Sequence, residues 1–202
     1  MGKRVYISAD YSALNGDRNV VDELHRWGAD NLHKVDYVDT AEVVSGSVSA
    51  DSDCRPCDLK KEFNSQINAS SAVIIIIGDK TANRTAGNVC KRNIDGAGCE
   101  CTPYKRNSQG TQTCKWDAVL TPKPDDDLGR INTFSYLEHE FQQAVRKGKP
   151  IIVVYNSLNK QPNWLPSYMS NYESKAYPFW MQNKLGSKVG NYSYIKGALG
   201  YD

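Results

Sequence analysis

The sequence lacks the features that would mark a membrane or nucleic-acid-binding protein. No apolar run reaches the roughly 18 residues that a transmembrane helix needs, and the short apolar run near the N-terminus does not have the layout of a signal peptide. Lysine and arginine number 25 against 23 aspartate and glutamate residues, so the formal net charge is only +2. Such a balance indicates no strong polyanion partner. We therefore expect a cytoplasmic protein with no membrane and no nucleic acid among its partners.

Familiar catalytic motifs are also missing. The chain contains no G-x-G-x-x-G, Walker-type lysine loop, H-E-x-x-H or G-x-S-x-G sequence. Its three histidines are scattered, and His25 falls on a predicted helix, where we interpret it as a partly exposed helix residue rather than a base. Carboxylates are left as the main candidates for chemistry.

Six cysteines are present, and four of them form two close pairs. Cys54 and Cys57 have the two-residue gap common in zinc sites, whereas Cys99 and Cys101 are separated by one residue. Together the four thiolates could bind a structural zinc ion. Free or redox-sensitive thiols, and disulfides, are the alternatives. In each case we expect a structural role for the cysteines.

Strand-like and helix-like segments alternate along the chain. Apolar positions at helical spacing indicate three helices, and runs rich in Val and Ile indicate at least four strands. Asp17 or Asn19 could cap the first helix. This order predicts an α/β fold, with a parallel sheet covered by helices on both faces. The segments are KRVYISADY, VVDELHRWGADNL, KVDYVDTAEVV, CDLKKEFNSQINAS, SAVIIIIGDKT, YLEHEFQQAVR and PIIVVY.

Two regions depart from the alternation. Residues 83 to about 130 are polar and cysteine-containing, without a sustained period, and we interpret them as an insertion. Residues 156–202 are rich in aromatic residues and proline. We expect them to wrap back over the core rather than add a regular strand. The prediction is a single domain over residues 1–202.

Parallel sheets of this kind bind ligands beyond the carboxyl ends of their strands. That rule selects four segments that are distant in sequence and should converge in space: residues 8–11, the loop after Asp39, residues 78–81 and residues 136–140. The candidate carboxylates there are Asp10, Asp39, Asp79, Glu138 and Glu140.

The last predicted helix carries two adjacent candidates. On a helical wheel of about 100° per residue, Glu138 and Glu140 fall on opposite flanks of the apolar stripe, and His139 points away from it. Periodicity does not choose between the two glutamates, since carboxylates are common in the first turn of any helix. The predicted stripe is Leu137, Phe141, Ala144 and Val145.

Three stretches together resemble the bacterial TIR-like family, in the branch that includes the TIR subunits of Thoeris anti-phage defence systems. In that family an aromatic residue precedes a glutamate by four positions, and Tyr136 and Glu140 match this spacing whereas Glu138 does not. The resemblance thus implies Glu140 as the catalytic carboxylate in a flavodoxin-like or TIR-like sheet. The stretches are KRVYISADY with DRNVVDEL, DLKKEFNSQINASSAVIIIIGDKT, and YLEHEFQQAVRKGKPIIVVY.

The resemblance implies cleavage of NAD between nicotinamide and ribose. The product would be derived from ADP-ribose, in hydrolysed or cyclic form, and would activate a separate effector. The protein itself could also form a homo-oligomer. Under this interpretation NAD is the substrate rather than a resident cofactor. Residues expected to line its site are Ser8, Asp10, Tyr11, Asp39, Lys80 and Tyr136.

Two other functions fit the same sequence. A non-catalytic TIR-type module would recognise another such domain or a nucleotide, since fold alone does not fix function. A transferase acting on nucleoside glycosidic bonds would use the same carboxylate chemistry on nucleosides or deoxynucleotides. A panel of substrates distinguishes the transferase from the NAD-cleaving enzyme.

Overall fold

The structure is a computed structural model that describes residues 2–10, 16–31, 33–39, 55–83, 104–106, 112–114 and 135–201. For residues 55–61, 83, 104–106 and 112–114 it describes the backbone only. Most of the expected insertion at 83–130 lies outside these residues. Within it, β4 (Tyr104–Arg106) and β5 (Gln112–Cys114) form an antiparallel pair.

A parallel sheet lies at the centre of the fold, as the alternating segments predict. Its strands follow the order β2-β1-β3-β6-β7, which is the flavodoxin-like arrangement with a switch point between β1 and β3. The strands are β1 (Lys3–Ser8), β2 (Val35–Asp39), β3 (Ala72–Ile77), β6 (Ile151–Tyr155) and β7 (Tyr177–Pro178).

Helices cover both faces of this sheet because each strand points alternate side chains to opposite sides. On one face, Val5, Ile74 and Val154 pack against α1 (Arg18–Gly28) and α4 (Tyr192–Ala198). The opposite face packs against α2 (Arg55–Ala69) and α3 (Tyr136–Arg146). All six residues of β3 are buried, as a strand with both faces covered requires.

The C-terminal region contains more regular structure than its sequence indicates. It does pack on the core, with Met169 on one face and Phe179 on the other. The expectation that it adds no regular strand is wrong, however, because β7 pairs in parallel with β6. Only two residues of β7 pair with β6. Pro178 is tolerated there because an edge strand needs no backbone N–H donor on its outer side. The region also contains two 3₁₀ helices (Pro162–Trp164 and Ser167–Lys175) and a hairpin of β8 (Trp180–Gln182) and β9 (Lys188–Gly190).

Candidate active site

Glu140 lies in the interior between α3 and the sheet. Ser135 caps this helix: its hydroxyl accepts a hydrogen bond from the Glu138 backbone N–H at 2.9 Å. Because α3 ends at Arg146, shortly before β6 begins at Ile151, the helix runs from the carboxyl edge of the sheet back towards the start of β6. One turn into the helix, Glu140 is only 2 % exposed. A buried carboxylate needs polar partners, since burial of an unpaired charge is costly.

Two hydroxyl groups on β1 donate hydrogen bonds to Glu140. Tyr6 donates from its phenolic OH to Glu140 Oε1 at 2.7 Å, and Ser8 donates from Oγ to Glu140 Oε2. Tyr6 and Ser8 are themselves fully buried, and as residues i and i+2 of a strand they point to the same face of the sheet. Both carboxylate oxygens are therefore hydrogen-bonded at the switch point between β1 and β3.

The neighbouring residues of α3 have different surroundings. Glu138 is half-buried and accepts a hydrogen bond from Gln142 Nε2 at 3.1 Å, one turn later on the helix. His139 is buried, which corrects the prediction that it points away from the core, and Val145 is 50 % exposed although the wheel places it in the apolar stripe.

Neighbours on three sides explain why a single-stripe wheel fails here. Besides the sheet, α3 contacts α2, where Gln143 Nε2 donates to Asn68 Oδ1 at 2.9 Å. It also contacts the second 3₁₀ helix, where Phe141 lies 5.5 Å from the Tyr172 ring, centre to centre. The buried surface of the helix is therefore wider than the stripe and includes polar side chains.

A second buried carboxylate, Asp17, lies where the ends of three strands meet. Its Oδ1 accepts from Asn156 Nδ2 at 2.9 Å, just after β6, and its Oδ2 accepts from the Asp10 backbone N–H at 3.3 Å, just after β1. Gly78, just after β3, lies so close that a Cβ there would be 2.7 Å from Asp17 Oδ1. Asp17 does precede α1, as expected of a cap, but its carboxylate joins strand ends and makes no capping hydrogen bond.

The burial of Asp17 changes its acidity. Removal from water raises the pKa of this carboxyl to about 6, because burial disfavours the charged form. The hydrogen bonds from Asn156 and from the Asp10 backbone oppose this rise, whereas the negative charges of Asp10 and Asp79 add to it. Asp17 therefore titrates close to neutral pH.

Asp39 lies on the other face of the sheet from Glu140. It is the last residue of β2, and its Oδ2 is 2.6 Å from His25 Nε2 on α1. His25 is partly exposed, in agreement with its interpretation as a helix residue. The β1–β2 register pairs Asp39 with Ile7, whose side chain belongs to the α1 face. The structure thus brings Ser8 and Glu140 together and leaves Asp39 in a separate pair.

Comparison with known protein families bears on the first half of the chain. Residues 6–95 match the family model described as Thoeris protein ThsB, TIR-like domain. Residues 6–95 therefore belong to a Thoeris-type TIR-like domain. Tyr6 and Ser8 lie within the matched residues, and Glu140 lies beyond them but is hydrogen-bonded to both. No curated protein matches the chain.

Other predicted site residues of the TIR-like domain also lie at this edge of the sheet. Asp10 is half-buried, and Lys80 is exposed in the turn after β3. Thr81 closes that turn, since its hydroxyl accepts from the Gly78 N–H at 2.7 Å. Tyr136, the first residue of α3, packs edge-on against Phe63 with ring centres 5.5 Å apart. Tyr11 lies outside the described residues.

The proposed zinc ligands cannot be placed in this fold. Cys54, Cys99 and Cys101 lie outside the described residues, and for Cys57 only the backbone within α2 is described. Among the residues with described side chains, no group of three or more His, Cys, Asp or Glu is arranged to hold a metal ion. No helix in the described part of the chain is long and apolar enough to cross a membrane.

Sequence reasoning missed three residues that bond the buried carboxylates or are themselves one, namely Tyr6, Asp17 and Asn156. Tyr6 has the clearest signal: with Ser8 it puts two hydroxyls on one face of β1, whose other buried residues are Val5 and Ile7. Asp17 and Asn156 have no such local signal, because their contact joins positions 139 residues apart.

Proposed function

We propose that this TIR-like domain cleaves NAD between nicotinamide and ribose during anti-phage defence, with Glu140 as the essential carboxylate. The observation that supports this most is the buried Glu140 carboxylate, held by Tyr6 and Ser8 at the switch point of the sheet. In sheets of this order, ligands bind at that point. The Thoeris-type family match supports the substrate and the setting.

The chemistry asks little of the protein beyond a fixed negative charge. The bond from ribose C1′ to the nicotinamide nitrogen breaks, and both electrons leave with nicotinamide, which departs as a neutral molecule. Positive charge develops on the ribosyl ring, and a carboxylate close to it lowers the energy of that state. Nicotinamide needs no protonation to leave, so the reaction requires no strong general acid.

Capture of the ribosyl group completes the reaction. Water gives ADP-ribose and one proton, whereas attack by an atom of the same molecule gives a cyclic ADP-ribose. We propose that this product activates a separate effector protein. Ser8, Asp10 and Tyr11 would lie along the nucleotide after β1, and Tyr136 beside the glutamate. Lys80 would meet a phosphate, and Asp39 would contact the ligand only from the far side of the sheet edge.

The test is a product analysis in cells that express the protein and are infected with phage. Mass spectrometry should detect loss of NAD together with nicotinamide and a linear or cyclic ADP-ribose. A Glu140→Gln variant present at equal level should leave NAD intact. Defence that survives Glu140→Gln unchanged would instead indicate a non-catalytic module, and cleavage of nucleosides but not NAD would indicate the transferase.

A further inference from the structure

The two hydroxyls that hold Glu140 reach it from different depths of the sheet. Tyr6 lies in the interior of β1, whereas Ser8 is its last residue. Two residues along a strand correspond to about 7 Å. The Ser8 hydroxyl and Glu140 Oε2, to which it donates, therefore lie nearer the ligand-binding edge than Tyr6 and Oε1 do.

The surroundings of Tyr6 hold its hydroxyl in place. Its side chain is fully buried and belongs to an apolar cluster with Ile75, Phe141 and Tyr155. A packed ring has few alternative rotamers, because protein interiors are close-packed. The Tyr6 OH is thus a rigid donor that fixes the direction of the carboxylate.

Ser8 differs from Tyr6 in the freedom of its hydroxyl to turn and in its position on the strand. Its hydroxyl turns about a single side-chain torsion and can adopt other staggered positions. It also stands at the end of the strand, where a ligand would arrive. An incoming hydroxyl can therefore replace Ser8 at Oε2 without moving the glutamate, since Oε1 stays bonded to Tyr6.

We propose that the two oxygens of Glu140 have separate roles. Tyr6 is a positioning residue that orients the carboxylate through Oε1. Ser8 caps Oε2 in the ligand-free protein and yields it to a ribose hydroxyl of the bound nucleotide. This inference rests on the proposed function insofar as the ligand is a ribosyl nucleotide.

Kinetics of Tyr6→Phe and Ser8→Ala separate the two roles. Loss of a hydrogen bond to a charged group corresponds to about 10- to 100-fold, so Tyr6→Phe should lower kcat for nicotinamide release by that factor and leave KM nearly unchanged. Ser8→Ala should lower the KM for NAD by about two- to tenfold, because the ribose hydroxyl then has no serine hydroxyl to displace from Oε2.

Tyr155→Phe is the matched control for Tyr6→Phe. Tyr155 is also fully buried on the α2–α3 face of the sheet, but its hydroxyl has no hydrogen-bond partner among the residues that the structure describes. This variant should keep wild-type kcat. If Tyr6→Phe behaves like Tyr155→Phe, the positioning role is wrong. If Ser8→Ala raises KM, or abolishes turnover as Glu140→Gln does, the capping role is wrong.

Binding of ADP-ribose tests the same inference without turnover. By calorimetry, Ser8→Ala should bind it more tightly than the wild type, and Glu140→Gln more weakly. This pattern in a protein that releases no nicotinamide would support the roles of the two oxygens and overturn the proposed function. Turnover that depends on Glu140, with equal ADP-ribose affinity in wild type and Ser8→Ala, would do the reverse. An absence of both binding and turnover would count against both.

Discussion

Asp17→Asn should stabilise the fold, and the gain should grow with pH. The folded-state pKa of Asp17 is about 6, against 3.8 for an ordinary aspartate. Because the folded state holds this proton more tightly than the unfolded state, the unfolding free energy falls as pH rises from about 4 to about 6. The full difference in pKa corresponds to about 3 kcal/mol of lost stability above that range.

The contacts of Asp17 determine how much of the lost stability Asp17→Asn restores. An amide at position 17 has no charge to desolvate and no repulsion from Asp10 and Asp79, whose negative charges raise the pKa of the carboxyl. Its oxygen can still accept from Asn156 Nδ2, whereas the weaker contact with the Asp10 backbone N–H is lost. That loss offsets about 1 kcal/mol of the gain, at every pH.

Urea unfolding at pH 5 and pH 8 measures the effect. From the two pKa values, ionisation of Asp17 lowers the unfolding free energy of the wild type by about 1.6 kcal/mol at pH 5 and by about 3 kcal/mol at pH 8. The stability difference between Asp17→Asn and wild type should therefore be about 1.4 kcal/mol larger at pH 8 than at pH 5. Asp22→Asn, which removes an exposed carboxylate from the same helix, is the control. A difference for Asp17→Asn that is independent of pH would refute the reasoning.

Two further substitutions test the packing around the site. Gly78→Ala should lower the unfolding free energy by about 1–3 kcal/mol, because its Cβ would lie 2.7 Å from Asp17 Oδ1. Gly197→Ala is the control, since the space around Gly197 is open, and it should be neutral or stabilising. Equal effects of the two substitutions would contradict this prediction. Ser135→Ala should cost about 1 kcal/mol by removing the cap of α3. Unchanged thermal and urea midpoints for Ser135→Ala would show that the cap contributes nothing.

The sequence predicts the frame of this fold well because burial there follows local periodicity. The Val-Ile run of β3 predicts a strand covered on both faces, which the structure confirms. The helical spacing of Val20, Val21, Leu24 and Trp27 matches the buried face of α1. The sequence also selects Ser8 and Glu140 as candidates, Ser8 through the strand-end rule and Glu140 through the family spacing. Only the structure joins them by a hydrogen bond.

What local patterns miss are polar groups whose burial depends on distant elements. His139 is buried on a helix that contacts α2 and the second 3₁₀ helix as well as the sheet, and a wheel of one helix contains neither neighbour. Asp17 has the signature of a helix cap, but the ends of β1, β3 and β6 surround its carboxylate. Strand β7 has two residues and a proline, so its pairing comes from the edge that β6 offers rather than from its own sequence.

The central claim concerns the difference between two glutamates on one helix. Glu140 is buried and bonded to Tyr6 and Ser8, whereas Glu138 is half-buried and bonded to Gln142. The most direct measurement is nicotinamide release from NAD by wild type, Glu140→Gln and Glu138→Gln, each purified from infected and from uninfected cells. We predict a loss of about 100-fold or more for Glu140→Gln and a rate within a few-fold of wild type for Glu138→Gln. Release that survives Glu140→Gln, or is lost equally in both variants, would contradict the account.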